Sequence, residues 1–274
     1  MIGECLEKVR RIRPLIHNIT NYVTVNDVAN VLLACGASPI MADSPQEAED
    51  ITSICKGLNI NIGTLNEQKY EAIMKAGRKA NELGKPVVLD PVGAGSSTHR
   101  TEAARNILEN IEIDVIRGNI SEIKALALGS ISDSGVDANA LDEINEDNLK
   151  EAIDFIRDFS LSNKCITIVT GNIDIITDGD IAYTIYNGRK EMRSITGIGC
   201  QLSALTCAYI SANLEHKLEA SLAAVTLIGL AGEIGWKYMQ EGDGNATYRN
   251  RIIDAVYNMD KETLEEGAKL KKWQ

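Results

Sequence analysis

"LNINIGTLNEQKYEAIMKAGRKANELGKPVVLD", Leu58 to Asp90, contains two short apolar runs separated by a long amphipathic one. "LNINIG" (Leu58–Gly63) and "PVVLD" (Pro86–Asp90) have the length and β-branched content of strands buried on both faces. Between them "NEQKYEAIMKAGRKANELG" (Asn66–Gly84) repeats its apolar residues at helical spacing. Two strands joined by such a helix pair in parallel through a right-handed crossover.

The same alternation extends in both directions. "SPIM" (Ser38–Met41), "IDVIRG" (Ile113–Gly118) and "CITIVTG" (Cys165–Gly171) read as further strands, and "PQEAEDITSICKG" (Pro45–Gly57) as another amphipathic connection. The prediction is an α/β fold with a mostly parallel sheet covered by helices on both faces. After Gly171 the pattern changes: "IDIIT", the turn "DGD" and "IAYTIYNG" (Ile173–Gly188) predict a β-hairpin, and about 198–258 predicts consecutive helices. With no Pro/Ser-rich linker and no internal repeat, residues 1–274 are expected to form a single domain. "GSISDSGVDANALDEINEDN" (Gly129–Asn148) is expected to be a surface excursion or a mobile flap.

Composition narrows the function. A formal charge of -11, from 39 acidic and 28 basic residues, argues against nucleic acid, because neutralising phosphates requires clustered Lys and Arg. "KVRRIR" (Lys8–Arg13) interleaves with Leu6, Val9 and Ile12 and reads as the solvated face of a first helix. The N-terminus has no apolar signal core, and "SLAAVTLIGLAG" (Ser221–Gly232) is shorter than the roughly 20 residues of a membrane span, so a cytoplasmic protein without a membrane partner is expected. Cysteines at 5, 35, 55, 165, 200 and 207 form no C-x-x-C pair and are expected as reduced thiols. His17, His99 and His216 are far apart in sequence and G-x-S-x-G is absent, so local motifs support neither a hydrolase triad nor a histidine metal site.

In an open α/β sheet ligands bind beyond the carboxyl ends of the strands. That rule gathers Met41–Asp43, Gly63–Thr64, Asp90–Gly93, Arg117–Asn119 and Thr170–Gly171 onto one edge. "TGIGCQLSAL" (Thr196–Leu205) adds a Gly-x-Gly turn before an apolar helix, where unpaired amides and the positive dipole end suit a phosphate; a simple tight turn is the alternative. Leu202 breaks the dinucleotide fingerprint, and no G-x-x-x-x-G-K-[ST] occurs. Asp90 suits either a Mg2+ ion or an Asx-type turn before Pro91. Asn119 and Glu122 have the spacing of a capping box, or Glu122 shapes a Mg2+ and phosphate site beside the forked charge of Arg117. Asn18, Thr20, Asn21, Asn26 and Met41 offer polar groups and a thioether suited to a small neutral heteroaromatic ligand, while His17 reads as a core or turn histidine.

At these residues the sequence resembles the hydroxyethylthiazole kinases, thiamine-salvage members of the ribokinase-like superfamily. "PLIHNITNYVTVNDVANVLLACGASPIMADSPQE", "NIGTLNEQ", "VVLDPVGAGSSTHRTEAA", "VIRGNISEI", "IVTG" and "TGIGCQLSAL" carry the likeness in collinear order over most of residues 14–210. It implies a ribokinase-like three-layer α/β/α fold and transfer of the ATP γ-phosphoryl to the primary alcohol of 4-methyl-5-(2-hydroxyethyl)thiazole. It further implies that Met41 and Gly197 contact the thiazole alcohol with Asn21 and Gly63 nearby, and that Arg117, Thr170 and Asn119 bind ATP. Asp90 and Glu122 fall on Mg2+-associated positions, and the family's homotrimer, with its alcohol site between subunits, is implied as well.

One departure from the family's pattern is Ile198, where relatives commonly carry Thr or another small residue. Gly197, Gly199 and Cys200 make the expected catalytic turn, with Cys200 standing where most ribokinase-like kinases place an aspartate base. A thiol at a helix start is expected to have a lowered pKa, and Cys200 is expected to act as a weak base or positioning group without a covalent intermediate. The rivals are a hydroxymethylpyrimidine kinase, an ADP-dependent nicotinamide-nucleotide-hydrate dehydratase, and a catalytically idle nucleotide-binding homologue.

Overall fold

The structure, a computed structural model, describes residues 1–127 and 143–273. Its centre is a nine-stranded sheet of β1 (Leu15–Ile19), β2 (Ser38–Met41), β3 (Gly57–Asn61), β4 (Val87–Asp90), β5 (Val115–Asn119), β6 (Ile166–Thr170), β7 (Asp174–Thr177), β8 (Ala182–Ile185) and β9 (Leu270–Trp273), in the order β2-β1-β3-β4-β5-β6-β7-β8-β9. The first six are mutually parallel. β7 and β8 form the predicted antiparallel hairpin, and β9 extends it.

The Leu58–Asp90 unit folds as predicted, with β3 and β4 parallel and Asn61 in register with Asp90. Its helix, α4 (Glu67–Glu82), starts where the Asn66 side chain accepts from Lys69 N at 2.8 Å, and Gly84 leaves it at φ 61°.

Alternating strand residues divide the core between two helical layers. Val88 and Val115 face α1 (Ile2–Ile12), α2 (Val25–Cys35), α8 (Ile198–Ala212), α9 (Lys217–Lys237), α10 (Asn245–Asn258) and α11 (Lys261–Gly267). Val87, Leu89 and Ile116 face α3 (Ala48–Ile54), α4, α5 (Thr98–Asn110), α6 (Ile120–Ala127) and α7 (Leu149–Asn163). α8 is the central helix, with Leu202, Leu205 and Ile210 all buried. Each such side chain contributes about 1.5–3 kcal/mol, which fixes the position of the helix start. α9 is, among the described residues, one helix long and apolar enough to cross a membrane, and its Ala220–Gly232 stretch is buried in the core. In α1 Leu6 and Val9 are buried and Arg11 is exposed, as expected, although Ile12 is exposed at the last turn.

Three strands depart from the expectation. β1, "LIHNI", lies between β2 and β3, so Met41 ends the second strand and not the first. Polar His17 and Asn18 hide the apolar signature of β1, yet both are buried. His17 Nδ1 pairs with Thr52 Oγ1 at 2.9 Å and Nε2 with Ala42 O at 2.7 Å, which makes it the core histidine anticipated. β2 is an edge strand whose four residues all stay partly exposed, so burial on both faces fails for it. β9 was missed because "LKKW" carries two lysines, tolerable only on an outer strand. Of the predicted flap, residues 129–142 lie outside the described residues.

Candidate active site

A cleft of about 400 Å³ opens at the carboxyl ends of β5 and β6. Arg117, Thr170 and Gly171 form one wall, and Gly197, Ile198 and Gly199 another. Gly197 caps α8 at φ 87°, and a Cβ there would lie 2.4 Å from Thr24 Cγ2, so only glycine fits. The first bond of the helix runs from Gln201 N to Gly197 O at 2.9 Å. The amides of Ile198, Gly199 and Cys200 therefore precede the ladder, as donors at the positive end of the helix. A Cβ on Gly199 would lie 2.3 Å from Arg117 Nη1; the glycine lets the guanidinium rest on the helix start. Thr170 Oγ1 accepts from Arg117 Nη2 at 2.6 Å.

Behind this wall lies a buried polar cluster. Asp90 Oδ2 accepts from Asn61 Nδ2 at 2.9 Å and from Ser203 Oγ at 2.7 Å, and lies 3.6 Å from Arg117 Nη1. Cys200 Sγ accepts from Asn21 Nδ2 at 3.1 Å and from Asn61 Nδ2 at 3.2 Å. Asn21 and Gly63 follow β1 and β3, where the strand order reverses from β2-β1 to β3-β4, the switch point at which a ligand crevice is expected. Among the predicted residues, Arg117, Thr170, Gly197 and Gly199 thus meet in the cleft, and Asp90, Cys200, Asn21 and Gly63 converge on Asn61.

Three residues stand apart. Met41 ends β2 opposite Asn18, partly buried against the core, and does not line the cleft. Asn119 and Glu122 form the capping box: Glu122 N donates to Asn119 Oδ1 at 2.9 Å and Asn119 N to Glu122 Oε2 at 2.8 Å. Glu122 Oε1 accepts from Gly93 N at 2.9 Å, tying the β4 turn to α6. Ile198 lines the cleft while packing partly buried against the core.

The expected acidity of Cys200 is overturned. Burial and the charge of Asp90 push its thiol up, against weaker opposition from Thr24, Asn21 and Asn61, so the helix start does not make a thiolate. Asp90 is raised to about 6 chiefly by burial, with Arg117, Ser203 and Asn61 opposing. The Asx-turn reading of Asp90 also gives way, since its bonded oxygen is spent on Asn61 and Ser203.

The match to the model of the hydroxyethylthiazole kinase family runs over residues 6–262. The chain belongs to the hydroxyethylthiazole kinase family. It is 54% identical to the hydroxyethylthiazole kinase of Clostridium acetobutylicum over 269 residues, 98% of each chain, and 45% identical to that of Ruminiclostridium cellulolyticum over 98% of this chain and 96% of the other. The solved hydroxyethylthiazole kinase of Pyrococcus horikoshii superposes with a TM-score of 0.88 at 34% identity, covering 100% of this chain and 99% of that one. A pyridoxal kinase from Staphylococcus aureus, solved with AMP-PCP and pyridoxal, reaches 0.64 at 16% identity over 95% and 98% of the two chains, a likeness of fold. The sheet is that of the ribokinase-like kinases.

Within this hydroxyethylthiazole kinase fold, several residues were not legible in the sequence. Arg189, Lys190 and Arg193 line the cleft together with Arg117, and "GRKEMR" carried that signal as a basic run after the hairpin. Asp174 also lines it, raised to about 7 by burial against the pull of Gly171 N and Arg117. Lys69 is buried among the loops after β1, β2 and β3. Its Nζ donates to Thr20 O at 2.7 Å and Thr64 Oγ1 at 3.3 Å, and lies 3.6 Å from Asp43 and 3.9 Å from the centre of the Tyr22 ring. Asn61 and Ser203 gave no signal, being polar residues inside apolar stretches.

The side chains present fit the metal that the family implies at one position. Asp90 Oδ1 is buried without a hydrogen-bond partner, a free acceptor where a cation is expected. Both oxygens of Glu122 already accept backbone amides. Among the described residues no group of three or more His, Cys, Asp or Glu forms a cage; a lone carboxylate oxygen such as Asp90 Oδ1 is the kind of donor that Mg2+ combines with water and substrate phosphates.

Proposed function

We propose that the chain transfers the γ-phosphoryl group of ATP to the primary alcohol of 4-methyl-5-(2-hydroxyethyl)thiazole, in thiamine biosynthesis and salvage. One observation carries the reading: a cation-lined cleft ending on the Gly197–Gly199 helix start, with the Asp90, Asn61 and Cys200 cluster directly behind it. The nucleotide polyphosphate occupies the cleft, held by Arg117, Thr170 and the α8 amides, with Arg189, Lys190 and Arg193 also lining it, while Asn119 contributes by capping α6 next to Arg117. The thiazole alcohol binds on the side of Met41, Asn21, Gly63 and Gly197.

Phosphoryl transfer proceeds through a loose transition state, so charge stabilisation and alignment outweigh strong base catalysis. That fits Cys200, whose protonated thiol orients the acceptor hydroxyl beside Gly197 and Gly199 and receives no phosphoryl group. Mg2+, when bound, neutralises charge on the β- and γ-phosphates. Asp90, through Oδ1, is the residue that would hold it; Glu122, engaged by two amides, contributes through water or by fixing the Gly93 turn.

A homotrimer completes this reading. β2 is an edge strand with a partly exposed Met41, and Tyr22, Val23 and Leu33 expose large apolar surfaces on the adjoining loop and helix, which supports cover by a second copy. A single sheet running through the described residues supports one kinase domain over residues 1–274, and six free cysteines support a reducing, cytoplasmic setting. ADP release measured with Mg-ATP and a panel of small alcohols tests the activity. Turnover dependent on the thiazole is expected; turnover with a different alcohol, or with none, overturns it.

A further inference from the structure

Asn61 closes β3 and is fully buried. Its amide makes four hydrogen bonds, the full capacity of the group. Nδ2 donates to Asp90 Oδ2 at 2.9 Å and to Cys200 Sγ at 3.2 Å; Oδ1 accepts from Asn21 Nδ2 at 3.1 Å and from Gly63 N at 3.0 Å. The orientation of the amide follows from its partners, since Gly63 N can only donate and an ionised Asp90 can only accept. The Gly63 bond alone is what a local turn requires. The other three run to side chains on β4, on α8 and in the β1–α2 loop, segments distant in sequence.

Asn21 is itself fixed. Its Oδ1 accepts from Val23 N at 3.1 Å, Thr24 N at 3.2 Å and Thr24 Oγ1 at 3.1 Å, and its Nδ2 reaches Asn61 and Cys200. Two amides therefore bracket one sulfur, and one of them also grips the buried acid. Ser203, one turn along α8 from Cys200, binds the same oxygen of Asp90 at 2.7 Å, so the strand end and the helix start are joined at two points.

We propose that Asn61 is the positioning residue of the phosphoryl transfer, holding Cys200, Asn21 and Gly63 in one arrangement relative to Asp90 so that the acceptor alcohol meets the nucleotide in a single orientation. This rests on the proposed kinase activity. Asn61 touches no reacting atom; it acts through Cys200 and Asn21, and alignment of this kind governs a transfer that needs little base catalysis.

The test is steady-state kinetics with Mg-ATP and the thiazole alcohol on Asn61→Ala, Asn61→Ser and Cys200→Ala enzymes and on the Asn61→Ala, Cys200→Ala double variant. Asn61→Ala is expected to lower kcat by about 10- to 100-fold with the KM for ATP within about twofold, and Asn61→Ser, which keeps one donor, to recover part of the loss. In the Cys200→Ala background the further loss is expected to stay under about threefold, because residues that act as a unit are not additive. Equal losses in both backgrounds, or a KM for ATP rising together with that for the alcohol, overturn the assignment. Calorimetric titration of the alcohol into the folded variants decides the matter where turnover is too slow: affinity at least about fivefold weaker in Asn61→Ala is expected, and unchanged affinity overturns it. The unsubstituted enzyme separates the two readings, since absence of thiazole-dependent ADP release from it defeats the kinase proposal itself.

Discussion

Arg117 Nη1 lies 3.6 Å from Asp90 Oδ2, and this ion pair joins the cleft to the buried cluster behind it. The acid is fully buried and the guanidinium 12% exposed, so the cation reaches the cleft while its partner does not. One fork of Arg117 is spent on Thr170 and Asp90, and its plane lies against Gly199.

Arg117→Ala therefore has two effects. It removes a cation from the cleft proposed for the polyphosphate, which is expected to raise the KM for ATP by about 10- to 100-fold with little change for the alcohol. It also leaves Asp90 buried without its counter-charge, a loss of about 3–5 kcal/mol in stability. Kinetics against each substrate check the first effect and denaturant unfolding the second; equal rises for both substrates would contradict the assignment.

Asp90→Asn probes the acid directly. With its carboxyl raised to about 6 by burial, the folded protein holds a proton that the unfolded chain releases near pH 4. The contribution of Asp90 to stability thus falls as pH rises from about 4 to about 6 and is level above that range. Unfolding free energies measured without metal, wild type minus Asp90→Asn, are expected to decline across that window, while turnover of the variant with Mg-ATP collapses. A pH-independent difference would show that the raised acid is not Asp90.

Cys200→Asp is expected to keep or raise turnover. Asn21 and Asn61 already direct amide donors at the sulfur, and the same donors would receive a carboxylate. Because burial and Asp90 push the thiol up, alkylation of Cys200 by iodoacetamide is expected to be slow at pH 7 and to need a more alkaline solution than an exposed cysteine does. Peptide mapping of the labelled protein follows it, and an isolable phosphocysteine on the pathway would defeat the non-covalent role.

Lys69→Met tests the alcohol side. The ammonium gathers the loops after β1, β2 and β3 through Thr20, Asp43 and Thr64. Methionine keeps the stem and removes the donors, leaving Thr20 O unpaired at about 1–3 kcal/mol. A lower melting temperature is expected, with the KM for the thiazole raised about fivefold or more and that for ATP unchanged; a variant altered only in ATP affinity would assign Lys69 to the other substrate.

The strands at 38–41, 87–90 and 166–170 were legible because apolar runs bounded by Gly, Pro or Asp have few other uses. β1 was not: its polar His17 and Asn18 look exposed until Thr52 and Ala42 arrive from distant segments to pair with the ring. Arg117, Thr170 and the glycine turn could be nominated from their strand-end and helix-start positions alone. Asn61 could not, since a buried asparagine differs from a surface one only in its partners.

The sequence by itself determined the alternation of strands and helices, the sheet edge on which the candidate residues gather, and the glycine turn at Gly197 and Gly199, all consequences of local periodicity and backbone freedom. Tertiary structure alone decided protonation and pairing. The Cys200 thiol is raised, contrary to the helix-start rule, because β4 carries Asp90 close to it and the core excludes water. Glu122 is held by amides of Gly93 and Asn119 because the β4 turn folds over α6. Desolvation and the charge of a neighbour distant in sequence are properties of packing, and no reading of spacing along the chain contains them.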